Sequence, residues 1–274
     1  MMIAKLIARL INKNVANNIF SNENLNSILS LFSAGEQGAW YDPSDFSTMF
    51  QDAAGTIPVT AVGQAVGRIL DKSGRGNHAT QTTSTKRPVL QQGANGKYYL
   101  LFDGIDDALQ TASVNFTGTD KVTLWAGVSK LSDAARGMIV EFGNVQLNSF
   151  RLNSSISNVT AGAAYRFDTS GSIEAFSSTN TIYPAPITNT VTGIGDILNN
   201  ICTIKVNNVN SDFLKSGSTG TGNYGNYPLF IGSRGATSLP FNGRLYSLII
   251  RGAQSTATQI SNTEAYVNSR TGAY

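Results

Sequence analysis

The sequence predicts a mainly β protein built as a sandwich or jelly roll, on three observations. From Tyr98 onward apolar residues recur at every second position. The plainest case is VTLWAGVS, where Val122, Leu124, Ala126 and Val128 alternate with Thr123, Trp125, Gly127 and Ser129. Many short runs of this kind follow one another, separated by loops rich in Gly, Ser, Thr and Asn. Only 14% of the 274 residues are charged, against roughly 25% in an average soluble domain. The 27 glycines that share the polar role favour tight turns over helices.

Taken in order, residues 1–34 stand apart as a helical segment. Ile3, Leu6, Ile7, Leu10 and Ile11 fall at helical spacing with Lys5, Arg9 and Lys13 opposite, and Asn12, Asn14, Asn17 and Asn18 then dilute the pattern. A second short helix is predicted from Asn24, with Leu25, Ile28, Leu29 and Phe32 on one side and Gly35 as its stop. An apolar stripe of this kind needs a partner. The segment is therefore read as an anchor and oligomerisation element, with packing back onto the domain or contact with a membrane surface as alternatives.

Residues 35–274 form the second unit. Gly35 to Gln81 reads as extended chain and turns: Trp40-Tyr41 are a large apolar pair, Ser44/Asp45 are placed to cap a helical turn running to Phe50, and Val59 to Val66 lies along an edge or the surface. In DKSGRGNHATQ, Gly74 and Gly76 supply positive φ, while Asp71, Ser73 and Asn77 bond the local backbone. The lone His78 is then a satisfied turn residue. Tyr98 to Phe102, broken by Asp103-Gly104 and resumed from Ala108 to Thr111, reads as two strands joined by an acidic turn. Further strands are expected at 138–142, 150–153, 164–167, 173–176, 201–207, 209–214, 228–233 and 241–252. Thr256 and Gln259 then fit a capping box opening a short closing helix, with Ile260, Glu264 and Val267 at helical spacing.

The segment LFSAGEQGAWYDPSDFSTMFQDAAGTIPVTAVGQAVGRILDKSGRGNHATQ (31–81) resembles a leader of phage and prophage structural proteins. DKSGRGNHATQ, YLLFDGIDDALQT and the final strand, turn and helix resemble the laminin-G-like, concanavalin A-like jelly roll. The resemblance implies a non-catalytic structural protein of a tailed bacteriophage particle, made in the host cytoplasm and resident in the virion. It points to a tail or fibre appendage whose lectin-like domain binds a host-surface glycan, with a capsid decoration protein as the alternative. The implied partners are other virion proteins and further copies of the chain, as a trimer.

Composition and motifs narrow the chemistry. The net charge is +3 and no basic run exceeds Lys86-Arg87, which argues against nucleic-acid binding. No stretch reaches 18 apolar residues, so no membrane span is expected, and Lys5 and Arg9 interrupt the apolar start, so no signal peptide is read there. One cysteine, Cys202, precludes an intrachain disulfide and reads as a buried, inert thiol. Concanavalin-like hydrolases carry E-x-D-x-x-E on one strand. Neither Glu141 nor Glu174 has an acidic residue two positions on, so hydrolysis is not expected. No cofactor is expected. Asp103 and Asp106, beside Asp107, are the candidates for a calcium ion, with hydrogen bonding inside the turn as the simpler role. Tyr183, Tyr224 and Tyr227 are the candidate sugar-binding rings, on the premise that they are exposed in Gly/Asn-rich loops; covering a sandwich end or a subunit interface is the alternative.

Overall fold

A computed structural model describes residues 25–156, 163–210 and 213–274. Among them, in chain order, lie β1 Gly38–Tyr41, β2 Met49–Phe50, β3 Arg68–Ile69, β4 Ala79–Thr80, β5 Val89–Gln92, β6 Tyr98–Asp103, β7 Leu109–Asn115, β8 Lys121–Lys130 and β9 Gly137–Phe142. Then follow β10 Phe150–Ile156, β11 Ala164–Ser170, β12 Glu174–Thr179, β13 Ile187–Asp196, β14 Ile201–Val206, β15 Val209–Asn210, β16 Phe213–Ser216, β17 Asn226–Ile231, β18 Asn242–Arg251 and a C-terminal helix, Ala257–Thr271. One antiparallel sheet runs β15-β14-β13-β8-β18-β6-β5, with β1 also on β18; the other runs β16-β12-β11-β10-β9-β17-β7-β4-β3-β2. The protein is a β-sandwich, as the alternation predicts.

The core lies between the sheets. Val122, Leu124, Ala126 and Val128 of β8 enter it together, as their period requires, opposite Phe142, Phe150, Leu152 and Phe167. Phe142 and Phe150 stack with centroids 5.0 Å apart, and Phe116 meets both rings edge-on. The other face of β8 is not wet. Trp125 packs with Trp40, Ile249, Tyr266 and Val267 in a second cluster under the C-terminal helix. That helix has the expected capping box at Thr256/Gln259 and ends on Gly272, which adopts a left-handed φ of 65°. Its fully buried Glu264 accepts from Lys205 Nζ and Thr192 Oγ1, tying it to β14 and β13.

The N-terminal expectations resolve in part. Ile3, Leu6, Ile7, Leu10 and Ile11 lie outside the described residues. Residues 25–30 are helical, but the buried side is Ile28, Leu31 and Phe32, while Leu25 (37%) and Leu29 (41%) stay exposed. The predicted face is thus rotated, because the helical turn is held from its end: Arg251 Nε donates to the Leu31 carbonyl at 2.7 Å, and Arg75 reaches the carbonyl of Phe32. This part of the anchor segment packs back onto the second cluster. The expected strand at 209–214 is two short strands, β15 and β16, in different sheets.

One ten-residue strand, β13, was not expected at all. Its sequence ITNTVTGIGD reads as loop because Gly193 and Gly195 interrupt it. Both glycines are demanded by packing: a Cβ on Gly193 would sit 2.4 Å from the Phe167 ring, and one on Gly195 2.6 Å from Tyr224 Oη. Gly193→Ala is expected to destabilise the fold by about 1–3 kcal/mol through overpacking, read from the midpoint of urea unfolding.

Candidate functional site

The central part of the ten-stranded sheet turns a charged row away from the core. Strand register sets it: Phe230 on β17 pairs with Glu141 on β9, Glu141 with Arg151 on β10, Arg151 with Asp168 on β11, and Asp168 with Phe176 on β12. Each of these residues alternates with core side chains on its own strand, so period two delivers all five to one face. Arg151 is the hub. It contacts Glu174, lies 3.3 Å from Asp168 Oδ2 and 3.9 Å from Glu141 Oε1. Around it, Arg166 Nε donates to Asp168 Oδ1 at 2.6 Å while its guanidinium stacks 3.8 Å over Phe176. Asn153 Nδ2 donates to Asp168 Oδ2 at 2.6 Å, Arg136 donates to Asn153 Oδ1, and Arg234 Nε lies 3.5 Å from Glu141.

These groups shield one another. Glu141 is fully buried, and that burial raises its pKa against the pull of Arg234 and Arg151. Glu141 and Asp168 are two strands apart, about 9–10 Å between strand axes, but Arg151 fills the interval. The row therefore clamps five strands and leaves no gap between its acids for a substrate. Arg151→Met removes the cation shared by three carboxylates, two of them buried, and is expected to cost about 3–5 kcal/mol by chemical unfolding. Arg234→Met, whose side chain is one-third exposed, is expected to cost well under half of that.

Continuing the same row past Phe230 leads to Gln110 on β7 and Thr80 on β4. Here the face opens into a groove of about 230 Å³, lined by Thr80, Gln81, Thr82, Thr83, Lys86, Gln110 and Ala236. Gln81 is committed: its Nε2 donates to the Ala108 carbonyl and its Oε1 accepts from Thr83 N. The Gln110, Thr82 and Thr83 side chains are exposed at the groove and make no hydrogen bond among the described residues. Lys86 reaches Asp106 only at 3.7 Å, both side chains being about 40% exposed.

That contact places the acidic turn beside the groove. Ligand oxygens of Asp103, Asp106 and Asp107 lie within 4.8 Å of one another. They serve the turn: Asp103 Oδ1 accepts from Ile105 N and Asp106 N, and Asp107 Oδ2 from Asp103 N. A calcium ion there would take the rest of its six to eight oxygens from backbone carbonyls and water. Burial, with the charges of Asp103 and Asp106 adding to it, pushes Asp107 up to about 6 from 3.8. A carboxyl raised on folding is stabilising while protonated, so its contribution is complete below pH 4 and is lost as the pH rises through 6. Asp107→Asn keeps an acceptor for Asp103 N and is expected to stabilise by roughly 2 kcal/mol at pH 8 and by nothing at pH 4, measured by thermal unfolding at both pH values.

The three tyrosines are not brought together. Tyr224 is 2% exposed; its ring meets Phe150 edge-on and its hydroxyl shares a 2.5 Å hydrogen bond with Thr169. Burial removes it from the set of sugar-binding rings. Tyr183 is half-buried on Tyr165, at the start of β11, whereas Tyr224 sits against Thr169 near its end, about 13 Å further along the strand. Tyr227 is half-buried on Phe142, closely flanked by Gly143 and Gly225. Both partly exposed rings pack against the main core cluster. The sequence signal for the charged row is local: charges at alternate positions in otherwise apolar strands (MIVEF, FRL, YRFD).

No protein-family model matches the chain, and no curated protein does. Solved structures do. The binding domain of botulinum neurotoxin serotype G superposes with a TM-score of 0.53 at 12% identity, over 73% of this chain and 49% of that one. Trypanosoma rangeli sialidase gives 0.51 at 12% identity, over 85% and 33%. The binding domain of botulinum neurotoxin DC, solved in complex with SialylT, gives 0.50 at 12% identity, over 73% and 48%. The fold is a lectin-like β-sandwich, and the chain spans about half the length of the neurotoxin domains and a third of the sialidase.

Proposed function

We propose that this chain is a non-catalytic glycan-binding module carried on a tailed-phage particle, as a tail or fibre appendage. The observation that carries the binding half is the groove at the β4–β7 edge. It offers an amide, two hydroxyls and an ammonium with no apolar floor, which suits a hydroxyl-rich ligand held by hydrogen bonds. The lectin-like fold supports the same reading. A binding role rather than turnover is favoured because neither Glu141 nor Glu174 belongs to an E-x-D-x-x-E strand, and Asp103 and Asp107 accept from turn amides. The particle half rests on the likeness of residues 31–81 to phage leaders. In this reading the stripe of Ile3, Leu6, Ile7, Leu10 and Ile11 joins three copies and seats them on a neighbouring virion protein.

The test has two arms. Full-length protein is screened on an array of bacterial capsule and lipopolysaccharide glycans, and hits are titrated. Gln110→Ala with Thr83→Ala is expected to weaken the best hit about tenfold or more without changing the unfolding midpoint. Release of reducing ends from the bound glycan overturns the non-catalytic assignment. Separately, quantitative mass spectrometry of purified particles is expected to find tens of copies or fewer. Hundreds would make it a capsid decoration protein, and none would refute the virion assignment.

A further inference from the structure

We infer a second ligand site, remote from the groove, that takes the carboxylate of an acidic sugar. It is a pocket of about 290 Å³ between the last turn of the C-terminal helix and the start of β6, lined by Ser44, Gly96, Lys97, Tyr98, Ser269 and Arg270. Two cations converge there, and the acids around them are already shared. Asp42 Oδ2 accepts from the Tyr266 hydroxyl at 2.7 Å and stands 3.3 Å from Arg270 Nη2 and 3.4 Å from Lys72 Nζ; its Oδ1 accepts from Ser44 N and Oγ. Asp45 is taken by Lys72 at 2.7 Å. Lys97 Nζ rests on a neutral group, the Ser269 carbonyl, at 2.7 Å, and forms no ion pair among the described residues. Three cations thus face two carboxylates, and the surplus charge sits at the pocket.

The geometry also fits the rest of a sugar. Arg270 Cζ lies over the Tyr266 ring, 4.8 Å from its centre, and the Arg270 side chain stays one-third exposed. The exposed part of this planar guanidinium is the group that would pair with a ligand carboxylate. Tyr98 is half-buried, its ring braced edge-on by Phe46 at 5.0 Å, and supplies the aromatic wall on which a pyranose face packs. The Ser44 and Ser269 hydroxyls each donate inward, to Asp42 and to the Tyr266 carbonyl, leaving their lone pairs to accept from sugar hydroxyls.

The experiment titrates the full chain with a galacturonic acid hexamer and, as a neutral control, a galactose hexamer, by calorimetry at low and at 0.5 M salt. Binding of the acidic hexamer, weakened by salt and at least about tenfold tighter than the neutral one, is expected. Lys97→Gln, which keeps a donor to the Ser269 carbonyl, and Arg270→Lys, which keeps the charge but not the fork, are each expected to weaken it about fivefold or more. Gln110→Ala is expected to leave it unchanged, so loss of the groove and loss of this pocket are read separately. Equal affinity for both hexamers, or binding unmoved by both substitutions, overturns the assignment.

Discussion

Arg151 is the constraint on which the ten-stranded sheet depends. One guanidinium answers carboxylates from three other strands, Glu141 on β9, Asp168 on β11 and Glu174 on β12. A one-residue slip of any of these strands would turn its acid into the hydrophobic core and leave the arginine short of a partner. Hydrophobic alternation alone specifies which face is inward. The charged row adds which residue stands opposite which, and so fixes the lateral alignment of β17, β9, β10, β11 and β12. A buried ion cluster is a weak source of net stability, and here it acts through charge pairing between neighbouring strands, which the observed register brings together.

The two sheets dispose of their outer faces differently. On the eight-stranded sheet, Trp40, Trp125 and Ile249 are covered by the C-terminal helix and by Ile28, Leu31 and Phe32. That sheet is consumed by packing, and its residual opening is the basic pocket at the helix end. Among the described residues no helix lies over the charged row of the ten-stranded sheet; arginines and the turn at Arg234 shelter it instead. The face opens only where the row gives way to neutral polar side chains at Gln110 and Thr80. The groove's position thus follows from where the ion pairs stop.

Much of the fold was legible because period two and the capping box are local signals. Val122 to Val128 point inward as read, Asp71 accepts from Ser73 N and Asn77 N in the turn as read, and Thr256 caps the final helix. What the sequence hid were the consequences of tertiary contact. β13 looked like loop because Gly193 and Gly195 exist for the sake of Phe167 and Tyr224 across the core, which no local rule registers. Tyr224 looked exposed for the complementary reason: its Gly/Asn neighbours signal a loop, but the ring turns inward to Thr169. The charged row was harder to read because its members stand on successive strands, β9 to β12, and a row that crosses strands leaves no spacing of carboxylates along any one of them.

The groove's chemistry bears on how such a module would work. Its lining has no aromatic face, so binding rests on hydrogen bonds that replace hydrogen bonds to water, each worth roughly 1 kcal/mol net. Three or four of them against the cost of immobilising a flexible saccharide leave an affinity near the millimolar range. A monomer with such a site would be a poor receptor. Several copies held on one particle, with sites spaced to meet a repeating polymer, convert each later contact into an intramolecular one and raise the overall grip by orders of magnitude. A weak, hydrogen-bonding groove on a rigid sandwich would therefore gain its grip from the proposed display in several copies, each contact releasing readily while the sum holds.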